Sequence, residues 1–149
     1  MSDSDLIKLY SGRILELAAD IPRTGRLDAP QASVKKRSPL CGSTVTVDLV
    51  TENGRIADFA QDVKACALGQ AAAAVVGANI LGTTRAQVET ARDQLKAMLK
   101  SDGPVPDAPF DGLEVLLPAR DFKNRHASIM LTLDAAAEAF AEAENSACA

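Results

Sequence analysis

The chain reads as an α+β domain, a small three-stranded antiparallel sheet with helices packed on one of its faces. Three observations predict it. Apolar residues recur at helical spacing from Asp5 to Ala19, and the pattern changes to period two from Ala32 to Ala65, around an Asn53-Gly54 pair. It then returns to helical runs after Cys66. Helices grouped on either side of one block of strands give an α+β layer arrangement rather than alternating βαβ units.

The elements follow in order. Leu6, Ile7, Tyr10, Ile14, Leu15 and Leu17 predict an amphipathic helix over Asp5 to Ala19, with Ser4 or Asp3 to cap its start and Pro22 just past its end. Arg23 to Pro30 holds Pro, Gly and Asp and reads as a loop. Ser33 to Arg37 is a candidate first strand. Val45, Val47 and Leu49 alternate with Thr46, Asp48 and Val50 in a second, and Ile56, Asp58, Phe59 and Val63 mark a returning third. Asn-Gly between alternating runs is the strongest short-range hairpin signal, because both residues accept a positive φ.

Beyond Cys66, Ala67 to Leu81 predicts a small-residue helix whose buried side is Leu68, Ala71, Ala72, Val75 and Val76. Gly82-Thr83-Thr84 stops it and caps the next, Arg85 to Lys100, built on Val88, Ala91, Leu95, Met98 and Leu99. Ser101 to Asp111 carries three prolines and reads as a loop, followed by a short Leu113 to Leu117 segment before Pro118. A last helix is expected from His126 to about Ala143, and residues 144–149 as a flexible tail. Residues 1–149 make one domain, a length that one core can serve.

Composition narrows the function classes. Sixteen basic against twenty acidic residues leave a net charge of −4, and the few aromatics are not interleaved with Lys or Arg, so no nucleic-acid partner is expected. The opening Met1-Ser2-Asp3-Ser4-Asp5 is acidic where a secretion signal is basic. The most apolar stretch, Ala65 to Leu81, is too short and too rich in Ala and Gly to span a bilayer, so no membrane association is expected. Three widely spaced cysteines form no disulfide framework, which fits a cytoplasmic location.

The same cysteines carry the chemistry. Cys41 and Cys66 lie twelve residues out on either side of the Asn53-Gly54 pair. Folding the hairpin brings both to its open end. Cys66 also opens a helix, where unpaired amides and the helix dipole favour an anionic donor. His126, the chain's one histidine, starts the last helix and offers an imidazole donor. Cys148 reads as an exposed thiol with no ligand role. There is no Cys-x-x-Cys pair, which argues against a thiol–disulfide or sulfur-transfer enzyme using Cys66 with Cys41 as resolving thiol.

These segments together resemble the IscU/NifU-type N-terminal scaffold family across nearly the whole chain. The resemblance rests on Tyr10-Ser11 through Pro22-Arg23 and Gly25-Arg26-Leu27, on Ser38-Pro39-Leu40-Cys41-Gly42, and on Asn53-Gly54-Arg55-Ile56 with Phe59. It rests further on Cys66 with the small residues to Ala73, and on Arg120 to Leu131. The resemblance implies a non-enzymatic scaffold that takes sulfur from a cysteine desulfurase, holds iron or a transient [2Fe–2S] cluster, and passes it to apo-protein acceptors.

Residue by residue, it implies Cys41 and Cys66 as the first two ligands and His126 as the histidine preceding the third. The chain departs from the pattern twice, for Ala127 stands at the third cysteine position and Ser43 at that of an aspartate. A fourth ligand could then come from Asp121, Asp62, solvent, an added thiol or another subunit. The oligomeric state stays open. The two departures support an alternative, a degenerate relative that binds zinc in the same site or acts as a regulatory interaction protein.

Overall fold

The structure, a computed structural model, describes residues 11–39 and 42–147. Four α-helices are described: α1 Gly12–Ala19, α2 Ala67–Asn79, α3 Arg85–Lys100 and α4 His126–Ala147. The strands are β1 Ala32–Arg37, β2 Thr44–Glu52 and β3 Arg55–Lys64, joined in the order β1-β2-β3 with both pairings antiparallel. Consecutive 3-10 turns, Asp111–Asp121 and Lys123–Arg125, lead into α4.

The β2–β3 hairpin closes on Asn53 (φ 55°) and Gly54 (φ 77°), the two positive φ values that a type I′ turn needs. From there the register runs to Thr44↔Lys64 at the open end. One irregularity explains an awkward spacing in the sequence. Ile56 and Phe59 are three apart, yet both are buried, because a bulge leaves Ala57 unpaired between Val50↔Asp58 and Thr51↔Ile56. Beyond the bulge, Leu49↔Phe59, Val47↔Gln61 and Val45↔Val63 share one face with Ala32 and Val34 of β1.

That face carries the helices. α4 crosses β1 and β2 and packs against both α2 and α3, and α1 packs on α2. Leu49, Phe59, Leu68, Leu95, Met98 and Phe140 meet in the core with almost no exposure. Burying each such side chain contributes about 1.5–3 kcal/mol. The free edge of β3 is covered at both ends. Arg23 and Gly25 exchange backbone hydrogen bonds with Gln61, and Gly82 and Thr83 do so with Ile56.

Several expectations are corrected. A single helix over Asp5 to Ala19 does not run through Ser11, whose extended backbone (ψ 162°) and side chain cap α1 at Ile14. Ser-Gly at 11–12 supplies a start signal inside the periodic run. The proposed caps Ser4 and Asp3 lie outside the described residues. The α2 helix ends at Asn79, and it is buried nearly all round, Gly69, Ala73, Ala74 and Gly77 included, rather than on one stripe. Pro118 sits inside the 3-10 run instead of after a short segment. The last helix continues past Ala143 to Ala147, and Glu144 pairs with Arg85 of α3. By contrast, α3 has the expected bounds, and Thr84 and Gln87 form a reciprocal capping box at its start.

On the opposite face one charge is buried. Asp48 accepts hydrogen bonds from Arg26 Nε (2.7 Å) and Nη2 (3.1 Å), Ser33 Oγ (2.6 Å) and the Leu27 amide (3.0 Å). Burial alone would raise this carboxyl. The donors outweigh it, the Arg26 guanidinium first, and hold it below the usual aspartate value of 3.8. Thus the 20–31 loop is fastened across the sheet by one carboxylate.

A carboxylate depressed on folding stabilises the fold above its unfolded value, and that contribution is lost as pH falls through the folded one. Asp48→Asn should therefore cost about 1–3 kcal/mol at neutral pH. In denaturant titrations the gap from wild type should shrink as pH is lowered below 3.8.

Candidate functional site

Three elements meet at the open end of the hairpin. The β2–β3 register places Lys64 opposite Thr44, and the chain turns two residues later at Cys66 into α2. Cys66 is the N-cap of that helix (φ −67°, ψ 169°), and its side chain makes no capping bond, which leaves the half-buried thiol for other partners. On the other side, Gly42 donates to the Ser38 carbonyl and Ser38 to the Ser43 carbonyl, closing the β1–β2 loop. Cys41 falls in that loop and lies outside the described residues, as does Cys148.

The first turn of α4 fills the gap between them. Ser128, fully buried, donates to Ser43 Oγ at 3.1 Å and lies 3.5 Å from Cys66 Sγ. One hydroxyl thus ties the start of β2, the N-cap of α2 and the first turn of α4. Gly69 makes the approach close enough, since a Cβ there would stand 2.6 Å from Ser128 Oγ and 2.9 Å from Ala65 Cβ.

His126, two residues earlier, is buried. Its Nε2 lies 2.9 Å from the Ala119 carbonyl and 3.1 Å from the Arg120 carbonyl. Both partners are acceptors, so Nε2 carries the proton, and a neutral ring keeps its lone pair on Nδ1. A backbone carbonyl fixing the distal ring proton is the usual support of a metal-binding histidine. The same bonds also satisfy carbonyls at the end of a 3-10 run, a purely structural service. Arg120 anchors that run, donating to the Met98 and Gly103 carbonyls.

The structure therefore brings Cys66 and the His126-Ala127-Ser128 turn to one end of the fold. Among the described residues no three His, Cys, Asp or Glu side chains converge as a metal site. Asp62 and Asp121 are both exposed and make no part of such a cluster. Ala127 contributes a methyl to the wall of a hollow shared with Lys96, Lys100, Met130 and Asp134.

Sequence reading did not single out Ser128 or Gly69. A serine set directly before the apolar run Ile129-Met130-Leu131 was the available signal for the first. A glycine three residues into a helix, at a cost in propensity, was that for the second.

A half-buried thiol at a helix N-terminus, with the first turn of α4 against it, is carried on the three-stranded sheet-and-helix frame of an α+β protein. No protein-family model matches the chain, and no curated protein matches it either. Solved structures do match. A nitrogen-fixing NifU-like protein (N-terminal) from Brucella abortus is 44% identical, with a TM-score of 0.92 over 95% of this chain and 98% of that one.

The chain belongs to the NifU-like N-terminal family. Two further structures share its fold, each over 90% of this chain and 98% of its own. One is a putative iron–sulfur cluster assembly scaffold protein for the SUF system from Fervidobacterium islandicum AW-1, at 17% identity and TM-score 0.81. The other is a hypothetical protein at 19% identity and TM-score 0.80. No helix among the described residues is long and apolar enough to cross a membrane.

The close approach at Gly69 can be tested directly. Gly69→Ala should push Ser128 away from Ser43 and cost about 1–3 kcal/mol, net of the better helix propensity of alanine. Thermal unfolding with Gly12→Ala as the open-space control would check it, since a Cβ at Gly12 meets nothing within 4 Å.

Proposed function

We propose that the chain is an iron–sulfur cluster assembly scaffold, which holds iron or a nascent [2Fe–2S] cluster as cargo and passes it to apo-protein acceptors. The observation that carries the reading is the 44% identity to a NifU-like protein over 95% of the chain. The donor chemistry agrees with it. Thiolate sulfur and imidazole nitrogen are the ligands that iron and iron–sulfur clusters take. Cys66 supplies the first from a helix N-terminus, and His126 supplies the second from a ring whose Nε2 proton is already committed. Cys41, the remaining donor assigned by the family pattern, completes a set of three. Three protein donors fall one short of the four that such a cluster wants. A shell with one exchangeable position suits cargo that has to leave again. On this reading the sulfur comes from a cysteine desulfurase, the setting is cytoplasmic, and the chain itself turns over no substrate.

The Ala127 and Ser43 substitutions favour a second reading, a family member that keeps the fold and a partner surface for regulation and binds zinc or no metal. Anaerobic reconstitution with iron and sulfide, read by visible absorption and metal analysis, separates the two. The scaffold reading expects a cluster on wild type that is lost in both Cys66→Ser and His126→Ala, since each removes one of three protein donors. A wild-type chain that loads zinc only, or nothing, would sink it in favour of the regulatory relative.

A further inference from the structure

The sheet has two outer edges, and they are treated differently. On β3 the outward backbone groups of Ile56 and Gln61 are taken by Gly82, Thr83, Arg23 and Gly25. On β1, Ser38 donates to the Ser43 carbonyl, and the antiparallel alternation carries that bonding on through Lys36↔Val45, Val34↔Val47 and Ala32↔Leu49. The backbone groups of Ser33, Lys35 and Arg37 therefore point away from β2. Among the described residues no backbone partner meets them, and all three residues are exposed. An uncovered edge of this kind is a template for one more strand.

Charge selects the strand. Lys35 and Arg37 make no ion pair among the described residues. Lys64 shares their face through the row Arg37↔Thr44↔Lys64, and Asp62 opposes them across Thr46. This end of the sheet is cationic in a chain of net charge −4. A second copy would set β1 against itself and bring Lys35 and Arg37 near their own equivalents, which is destabilising. Residues opposite one another across a strand pair share a face, so acidic side chains opposite Lys35 and Arg37 would meet both cations. The residue between them would turn to the helix side. There a hollow of about 350 Å³ opens, lined by Lys36, by Glu89 and Arg92 of α3, and by Asp134, Ala137 and Glu138 of α4.

We infer that the outer edge of β1 takes up an extended acidic segment of a partner protein as a fourth strand. Its carboxylates lie at alternate positions on Lys35 and Arg37, and the side chain between them enters the hollow. Main-chain bonds to Ser33, Lys35 and Arg37 supply affinity, and the alternating side-chain sites supply selectivity. The inference stands apart from the scaffold reading, for it uses none of the thiol or imidazole donors.

The test uses the metal-free full chain and three capped decapeptides. One alternates glutamate with threonine, and one alternates lysine with threonine. The third is the glutamate peptide N-methylated at its glutamates, which keeps the charge and loses the strand hydrogen bonds. Titration calorimetry at low salt reads binding, and amide hydrogen exchange reads its place. The expected result is binding by the first peptide alone, weakened by added salt, with exchange slowed at Ser33, Lys35 and Arg37. Lys35→Glu with Arg37→Glu should raise its Kd about tenfold, with circular dichroism confirming the fold. Equal binding by the N-methylated peptide would reduce the edge to charge attraction and overturn the inference. So would no binding, slowed exchange only at other strands, or protection of the β1 amides that grows with chain concentration alone, the mark of a second copy. None of these outcomes touches the scaffold reading, which cluster loading decides.

Discussion

The contact on which the rest of the molecule depends is the near-touching of α2 and α4 at Gly69 and Ser128. Two helices can come this close only where one of them has no side chain, and here a Cβ would stand 2.6 Å from the serine oxygen. The serine in turn reaches β2 through Ser43 and the α2 N-cap through Cys66. Sheet, central helix and long terminal helix are therefore registered against one another at a single point, and that point is the end of the fold where the thiol sits. A second close approach, of Gly77 to the Gln61 side chain and the Pro22 carbonyl, fixes α2 along the free side of the sheet. The alanine-rich helix is held at both ends by glycines, and its length is buried between neighbours because its residues are small.

Much of this architecture was legible in the sequence. The hairpin was, because a type I′ turn needs two positive φ values and Asn53-Gly54 is the pair that supplies them at least cost. The α3 helix was, because Thr84 and Gln87 are a local capping signal. The all-round burial of α2 was not. Alanine is compatible with core and surface alike, so a run of it carries no phase, and only the arrangement of neighbours decides which faces are covered. The break at Ser11 was hidden by apolar spacing that continues across it. The helix starts at Cys66 and His126 were also legible, since both signals are local. The serine that joins them was not, for its partners lie 85 and 62 residues away in sequence.

Ser43 and Ala127, at positions where the resemblance implies an aspartate and a cysteine, have a physical consequence of their own. Position 43 is only 5% exposed. A carboxylate there would be a buried anion, costly unless a cation or several donors meet it. Serine removes that charge. Its hydroxyl instead accepts a hydrogen bond from Ser128, so the site is satisfied when nothing is bound. Asp48 shows what the alternative requires, for that buried carboxylate is met by a guanidinium, a hydroxyl and an amide at once. No such set is needed at Ser43.

Ala127 acts in the same direction, for its methyl adds no anionic donor to a turn that carries the buried His126 and lies against the Cys66 thiol through Ser128. Fewer anionic donors mean less attraction for a cation, and also less mutual repulsion when the cation is gone. The geometry around Ser128 leaves little room for conformational control, since Gly69 and Ser43 fix the turn from two sides. The Ser128 contact is therefore held by a hydroxyl hydrogen bond and close packing rather than by an ion pair.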